Sequence, residues 1–209
     1  METFDKKKHW ENIYQTKKFQ EVSWYQEKPS LSLSFLTHYK IPKSAKIIDM
    51  GGGDSYLVDY LLALGYQHIT VLDISKAALE RAKKRLGEEA NLVTWIEADA
   101  ANFEPSEVYD FWHDRAAFHF LTNQQDIDSY IATAYKHLSN TGVLIIGTFS
   151  ENGPTKCSGI DIQQYSPNTM EERLKPYFLR RNCFQTIHET PTGKYQNFTF
   201  CSFRKNDLT

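Results

Sequence analysis

Positions 47 to 55 read Ile47-Ile48-Asp49-Met50-Gly51-Gly52-Gly53-Asp54-Ser55, an apolar run that ends in an acid and breaks into three glycines. A short apolar run bounded by turn residues reads as a buried strand. Consecutive glycines allow a turn with positive φ that other residues resist. A second apolar run, Val71-Leu72-Asp73-Ile74, again ends in an acid. Between the two, residues 55–64 have helical character and Gly65 closes them. A strand, a glycine turn, a helix and a second strand make a unit that folds with its strands parallel.

The same alternation continues to the end of the chain. Strand 45–50 and helix 55–64 are followed by strand 68–73 and helix 75–86, then by strand 92–97. Strand 109–114 leads to helix 124–138, and strand 142–149 leads to an irregular segment, 150–165. A short helix over 167–175 precedes strands near 177–189 and 194–204, joined by the turn residues Pro191-Thr192-Gly193. The expected fold is α/β: a Rossmann-like, mostly parallel sheet with helices on both faces and a C-terminal antiparallel hairpin. The length, 209 residues, fits one domain. Residues 1–44 form an N-terminal helical lid or appendage, with helices over 4–20 and Leu31–Tyr39 and Ser30 as a cap.

Composition narrows the partners. The net charge is -2, and the basic clusters, such as Lys6-Lys7-Lys8, are short. No broad basic field is available for a nucleic-acid backbone. No run approaches the length of a membrane span. The three cysteines, Cys157, Cys183 and Cys201, show no metal-ligand spacing, so no metal is expected. An odd cysteine count and a polar N-terminus fit a cytoplasmic protein.

Ligands of such sheets bind beyond the carboxyl ends of the strands, so the residues following each strand are the candidates. Asp49 closes the first strand, and Gly51 and Gly53 let the backbone approach a ligand. Asp54 stands at the start of the next helix. There it either caps the helix or repels a pyrophosphate while tolerating a cationic or zwitterionic ligand. Asp73 lies 24 residues beyond Asp49, about where an acid that holds a ribose is expected. It could equally cap helix 75–86, as could Ser75. Asp99, after the third strand, can accept from an exocyclic adenine amino group or simply face solvent.

These placements resemble the class I S-adenosylmethionine-dependent methyltransferases from residue 45 onward. The resemblance implies that Asp49, Gly51 and Gly53 hold the methionine part of S-adenosylmethionine. Asp73 with Ile74 would hold the ribose, and Asp99 with Ala100 the adenine. Ser55 stands where the family usually has a third glycine. The segment Tyr109-Asp110-Phe111-Trp112-His113-Asp114-Arg115 resembles the family's fourth-strand motif, which puts Asp114 and Arg115 beside the reactive methyl. The His113-Asp114-Arg115 string, with Cys157-Ser158-Gly159, His188-Glu189-Thr190-Pro191 and the N-terminal His9-Trp10-Glu11-Asn12-Ile13-Tyr14 and Val22-Ser23-Trp24-Tyr25, is similar to a bacterial subgroup of that family. A distant similarity links it to citrate-synthase lysine methyltransferases.

The implied reaction is methyl transfer to a small molecule or a protein side chain. His119 is the expected base, because its ordinary pKa is near neutrality, although it can also pack within its helix. Arg115 would clamp an anionic acceptor or pair with Asp114. Tyr14, Trp24 and Tyr25 would fold over the cofactor as a lid and face its sulfonium, or build an aromatic core. Cys157 reads as a structural thiol. Two other readings share the sheet: an NAD-type oxidoreductase and a non-catalytic S-adenosylmethionine-binding protein.

Overall fold

The computed structural model describes residues 4–206. Seven strands form one sheet in the order β3-β2-β1-β4-β5-β9-β8. The strands are β1 (Lys46–Met50), β2 (His68–Asp73), β3 (Val93–Glu97), β4 (Tyr109–Arg115), β5 (Leu138–Phe149), β8 (Phe178–Glu189) and β9 (Tyr195–Lys205). β1 to β5 pair parallel, β9 runs antiparallel to β5, and β8 and β9 close the edge as a long hairpin. The central strands are apolar on both faces because helices cover both.

On one face Ile47, Ile69, Val71, Phe111 and Ile145 pack against α2 (Ser30–His38), α3 (Leu57–Ala63) and α4 (Lys76–Leu86). On the other, Ile48, Met50, Trp112 and Ile146 pack against α5 (Gln124–His137) and α6 (Pro167–Leu174). Alternate residues of each strand therefore serve different layers. In β4, Phe111 belongs to the first layer and Trp112 to the second.

The N-terminal section differs in detail from the expected helix over 4–20. Helix α1 covers Lys6–Thr16, capped by Asp5 accepting from the Lys8 amide, and a 3-10 turn follows at Phe19–Glu21. The irregular segment after β5 carries a small hairpin, β6 (Lys156–Cys157) with β7 (Ile160–Asp161). Two-residue strands have no periodicity to betray them. Cys183 and Cys201 face each other across β8 and β9 and form a disulfide, which leaves Cys157 free and buried. The odd cysteine count is thus a pair plus one thiol. No helix among the described residues is long and apolar enough to cross a membrane.

Candidate active site

The order of strands reverses between β1 and β4, and a cavity opens beyond their carboxyl ends. Its wall includes Asp49, Gly51, Asp73, Ile74, Asp99 and Ala100, contributed by the ends of three adjacent strands. Tyr14, Trp24 and Arg115 also line it.

The glycine turn is as tight as its sequence predicts. Gly51 and Gly53 have φ of +66° and +50°, a region that L side chains resist. A Cβ at Gly53 would stand 2.7 Å from the Tyr14 hydroxyl and 3.0 Å from Asp73 Oδ2. Backbone thus passes beside the acid that ends β2. Asp73 Oδ1 accepts from the Ser75 amide at 2.8 Å, while Ser75 is the cap of α4. Burial pushes the Asp73 carboxyl up to about 7, and the neighbouring Asp54 and Asp49 add to the shift. Asp99 accepts from the Ala101 amide at 3.0 Å.

Asp49 has partners that strand-end reasoning missed. Residue 49 of β1 lies in register with His113 of β4, so both side chains project from the same face. His113 Nδ1 lies 2.7 Å from Asp49 Oδ1, and His113 Nε2 lies 2.9 Å from Ser32 Oγ on α2. A carboxylate facing Nδ1 favours the tautomer that donates there, in which Nε2 accepts from the serine hydroxyl. All three residues are buried and all three line the cavity.

Aromatic rings form the roof. Trp10 on α1 meets Tyr14, Trp24 and Phe120 with centroids 6.2, 5.7 and 5.0 Å away. Helix α1 is tied down at several points. Glu11 accepts from the Ser75 hydroxyl at 2.7 Å and from the Ala77 amide at 3.1 Å, at the start of α4. Arg81 of α4 donates to the Tyr14 and Lys17 carbonyls at 2.9 Å each.

Residues 48–144 match the family described as a methyltransferase domain. That span, from β1 into β5, is similar to methyltransferase domains. A malonyl-[acyl-carrier protein] O-methyltransferase of Anoxybacillus flavithermus is 33% identical over 106 residues, which are 50% of this chain and 39% of that protein. An eEF1A lysine and N-terminal methyltransferase of Mus musculus is 26% identical over 57% of this chain and 17% of its own length. The chain thus spans less than half the length of these curated relatives. A solved S-adenosylmethionine-dependent methyltransferase from Anabaena variabilis shares the fold, with a TM-score of 0.75, 15% identity, and coverage of 98% of this chain and 96% of that one.

Within this methyltransferase fold, three residues stand elsewhere than their place in the sequence implied. Asp114 does not line the cavity. It faces the α5 layer, where it accepts from the Ala117 and Phe118 amides at 3.0 Å and from the Tyr130 hydroxyl at 2.7 Å. Its oxygens fasten the turn after β4, and the expected pair with Arg115 does not form. His119, the expected base, is sealed between Phe120 and Phe149 and accepts from the Phe149 amide. Burial and the nearby Arg115 push its pKa down to about 3, so it is neutral at physiological pH. Asp54 precedes α3 without capping it. Its Oδ2 lies 3.1 Å from Arg81, and it is buried without lining the cavity. The repulsion of a pyrophosphate expected from Asp54 therefore loses its geometric basis. Cys157 does line the cavity, but burial raises its thiol to about 11. It is un-ionised at neutral pH and a poor nucleophile.

Proposed function

We propose that the chain binds S-adenosylmethionine in this cavity and transfers its methyl group to a nucleophilic atom of a small molecule or a protein side chain. The observation that carries the reading is the row of carboxylates Asp49, Asp73 and Asp99, which end adjacent strands and border one cavity beside the glycine turn. The donor set fits the cofactor. The only hydrogen bond to the Asp73 carboxyl group among the described residues falls on Oδ1. A buried carboxylate in that position is stabilised by the two hydroxyls of a ribose. Asp99 with Ala100 would hold the adenine, Ile74 would pack beside the ribose, and Asp49 with Gly51 and Gly53 would hold the methionine end.

When bound, the cofactor supplies an electrophilic methyl carbon on a sulfonium. The protein's part is alignment and exclusion of water. Trp10, Tyr14 and Trp24 line the cavity, a setting that favours a cation. In this reading the described part of the N-terminal section, residues 4–44, is the lid of a single domain. Where the acceptor must lose a proton, Ser32 and His113 are the groups placed to receive it, with Asp49 fixing the imidazole. His119 and Asp114 are left with structural work. A cytoplasmic setting is part of the proposal. It requires the Cys183–Cys201 pair to be reduced in the cell, and counting thiols on protein isolated under acid quench checks this: three free thiols support the setting and one opposes it.

A thermal-shift comparison separates this reading from a nicotinamide enzyme on the same sheet. S-adenosylhomocysteine at 1 mM, taken as about 100 times its Kd, stabilises by about 2.7 kcal/mol. NADH is expected to leave the melting temperature unchanged. Stabilisation by NADH alone would replace the reading.

A further inference from the structure

The cavity has one unfinished contact. Arg115, the last residue of β4, projects to the same face as Phe111 and His113. Its Nη1 donates to the Trp24 carbonyl at 3.1 Å, and the guanidinium lies 5.2 Å from the centre of the Phe198 ring. Its Nη2 is buried and has no hydrogen-bond partner among the described residues. No carboxylate among them lies within ion-pair distance. Asp114, its neighbour, is committed to Ala117, Phe118 and Tyr130, and Asp49 Oδ1 to His113. Burial pulls the guanidinium pKa down only to about 10, so the side chain stays charged at neutral pH. A half-buried charge with one buried, unpaired N–H group is costly, and a carboxylate or another planar oxyanion is the group that relieves it.

The position of Arg115 says where that anion sits. Arg115 belongs to two walls at once, the cofactor cavity and an adjoining groove. The cofactor cavity is the acidic one, with Asp49, Asp73 and Asp99. The groove is lined by Gln26, Thr186, His188, Phe198 and Phe200 among others, with Lys28 and Glu189 as its other charged members. His188 stands 2.8 Å from the Ser23 carbonyl and donates to it through Nε2. Burial and Arg115 hold its pKa below the ordinary value, so it adds no charge at neutral pH. Arg115 thus stands between an acidic compartment and a groove of mixed lining, in which Leu31 and Ile187 meet Gln26, Thr186 and His188.

We propose that the methyl acceptor is a small carboxylate, its carboxylate held by Arg115 and the rest of its body lying in the adjoining groove. This rests on the methyltransferase reading and gives it a substrate class. Arg115 is then a residue of acceptor specificity, distinct from the acids that hold the cofactor.

The test uses protein saturated with S-adenosylhomocysteine and follows heat of binding and melting temperature. The probes are benzoate, phenylacetate, indole-3-acetate and hexanoate, each beside its primary amide. At least one carboxylate is expected to bind saturably and at least about tenfold more tightly than its amide, the effect of one charge-assisted contact. Arg115→Met removes that preference while S-adenosylhomocysteine affinity stays within about threefold of wild type. Thr186→Glu, which adds a like charge to the groove, weakens the same carboxylate and guards against a misfolded Arg115 variant. If none of the four carboxylates outbinds its amide, or Arg115→Met leaves the preference intact, the proposal is wrong. A tenfold loss of S-adenosylhomocysteine affinity in Arg115→Met would assign the guanidinium to the cofactor's own carboxylate instead. Failure of wild-type protein to bind S-adenosylhomocysteine would remove the methyltransferase reading itself, before any acceptor is added.

Discussion

Asp73 is costly to bury. Its folded pKa, about 7, lies above the ordinary aspartate value, so the folded chain binds this proton more tightly than the unfolded chain does. Its contribution to stability is therefore full below the unfolded pKa and is lost as pH rises through about 7. Asp73→Asn keeps an acceptor for the Ser75 amide and removes the charge. The ligand-free variant is expected to melt at least about 3 °C above wild type at pH 8, equivalent to about 1 kcal/mol for a chain this size. At pH 4 the two should coincide, and an equal gap at both pH values would show that charge burial is not the cause. Gly53→Ala acts in the opposite direction. Positive φ costs a non-glycine residue about 1–2 kcal/mol, and the new methyl would crowd Tyr14 and Asp73. Both the melting temperature and S-adenosylhomocysteine affinity should fall, and a variant with wild-type affinity would place the cofactor away from this turn. At this scale the sequence disclosed Asp49, Asp73 and Asp99, because spacing after a strand fixes them. It concealed the roles of His113 and Asp114. Neighbours on a strand face opposite layers, and which of the two faces the cavity depends on β1 and α2.

At the scale of elements, α1 holds the roof through contacts with α4. Glu11 places a carboxylate on the first-turn amides and cap hydroxyl of α4, where the helix dipole favours negative charge. Arg81 returns the favour at the carbonyl end of α1. Glu11→Gln should cost about 1 kcal/mol locally, seen as an approximately fivefold faster amide exchange in α1. Unchanged exchange over 6–16 would mean that Trp10 and Tyr14 hold the lid without this clamp. The sequence marked α1 as a helix through the spacing of Trp10, Ile13 and Tyr14, but overran its end. Nothing local separates the Lys6–Thr16 helix from the 3-10 turn at Phe19–Glu21. The central strands were legible because burial on both faces leaves continuous apolar runs. The β6–β7 hairpin, which brings Cys157 to the cavity, was not legible.

For the whole molecule, the sheet order puts the reversal point between β1 and β4, and the candidate residues other than Gly53, Asp114 and His119 line the cavity there. The alternation of strands and helices was enough to foresee a ligand site beyond the carboxyl ends. Spacing could not foresee that the N-terminal section would roof the site or that Arg115 would border a second groove as well as the cavity. The central claim is that the buried Asp73 carboxylate receives the ribose of S-adenosylmethionine, and proton linkage tests it most directly. Ionised Asp73 is the better acceptor, so cofactor affinity should rise with pH through about 7. Calorimetric titration with S-adenosylhomocysteine at pH 6 and pH 8 should give a Kd at least about fivefold lower at pH 8. In Asp73→Asn the Kd should be at least about tenfold weaker at pH 8, with the pH dependence largely gone. Equal affinities for wild type and Asp73→Asn at both pH values would contradict the account.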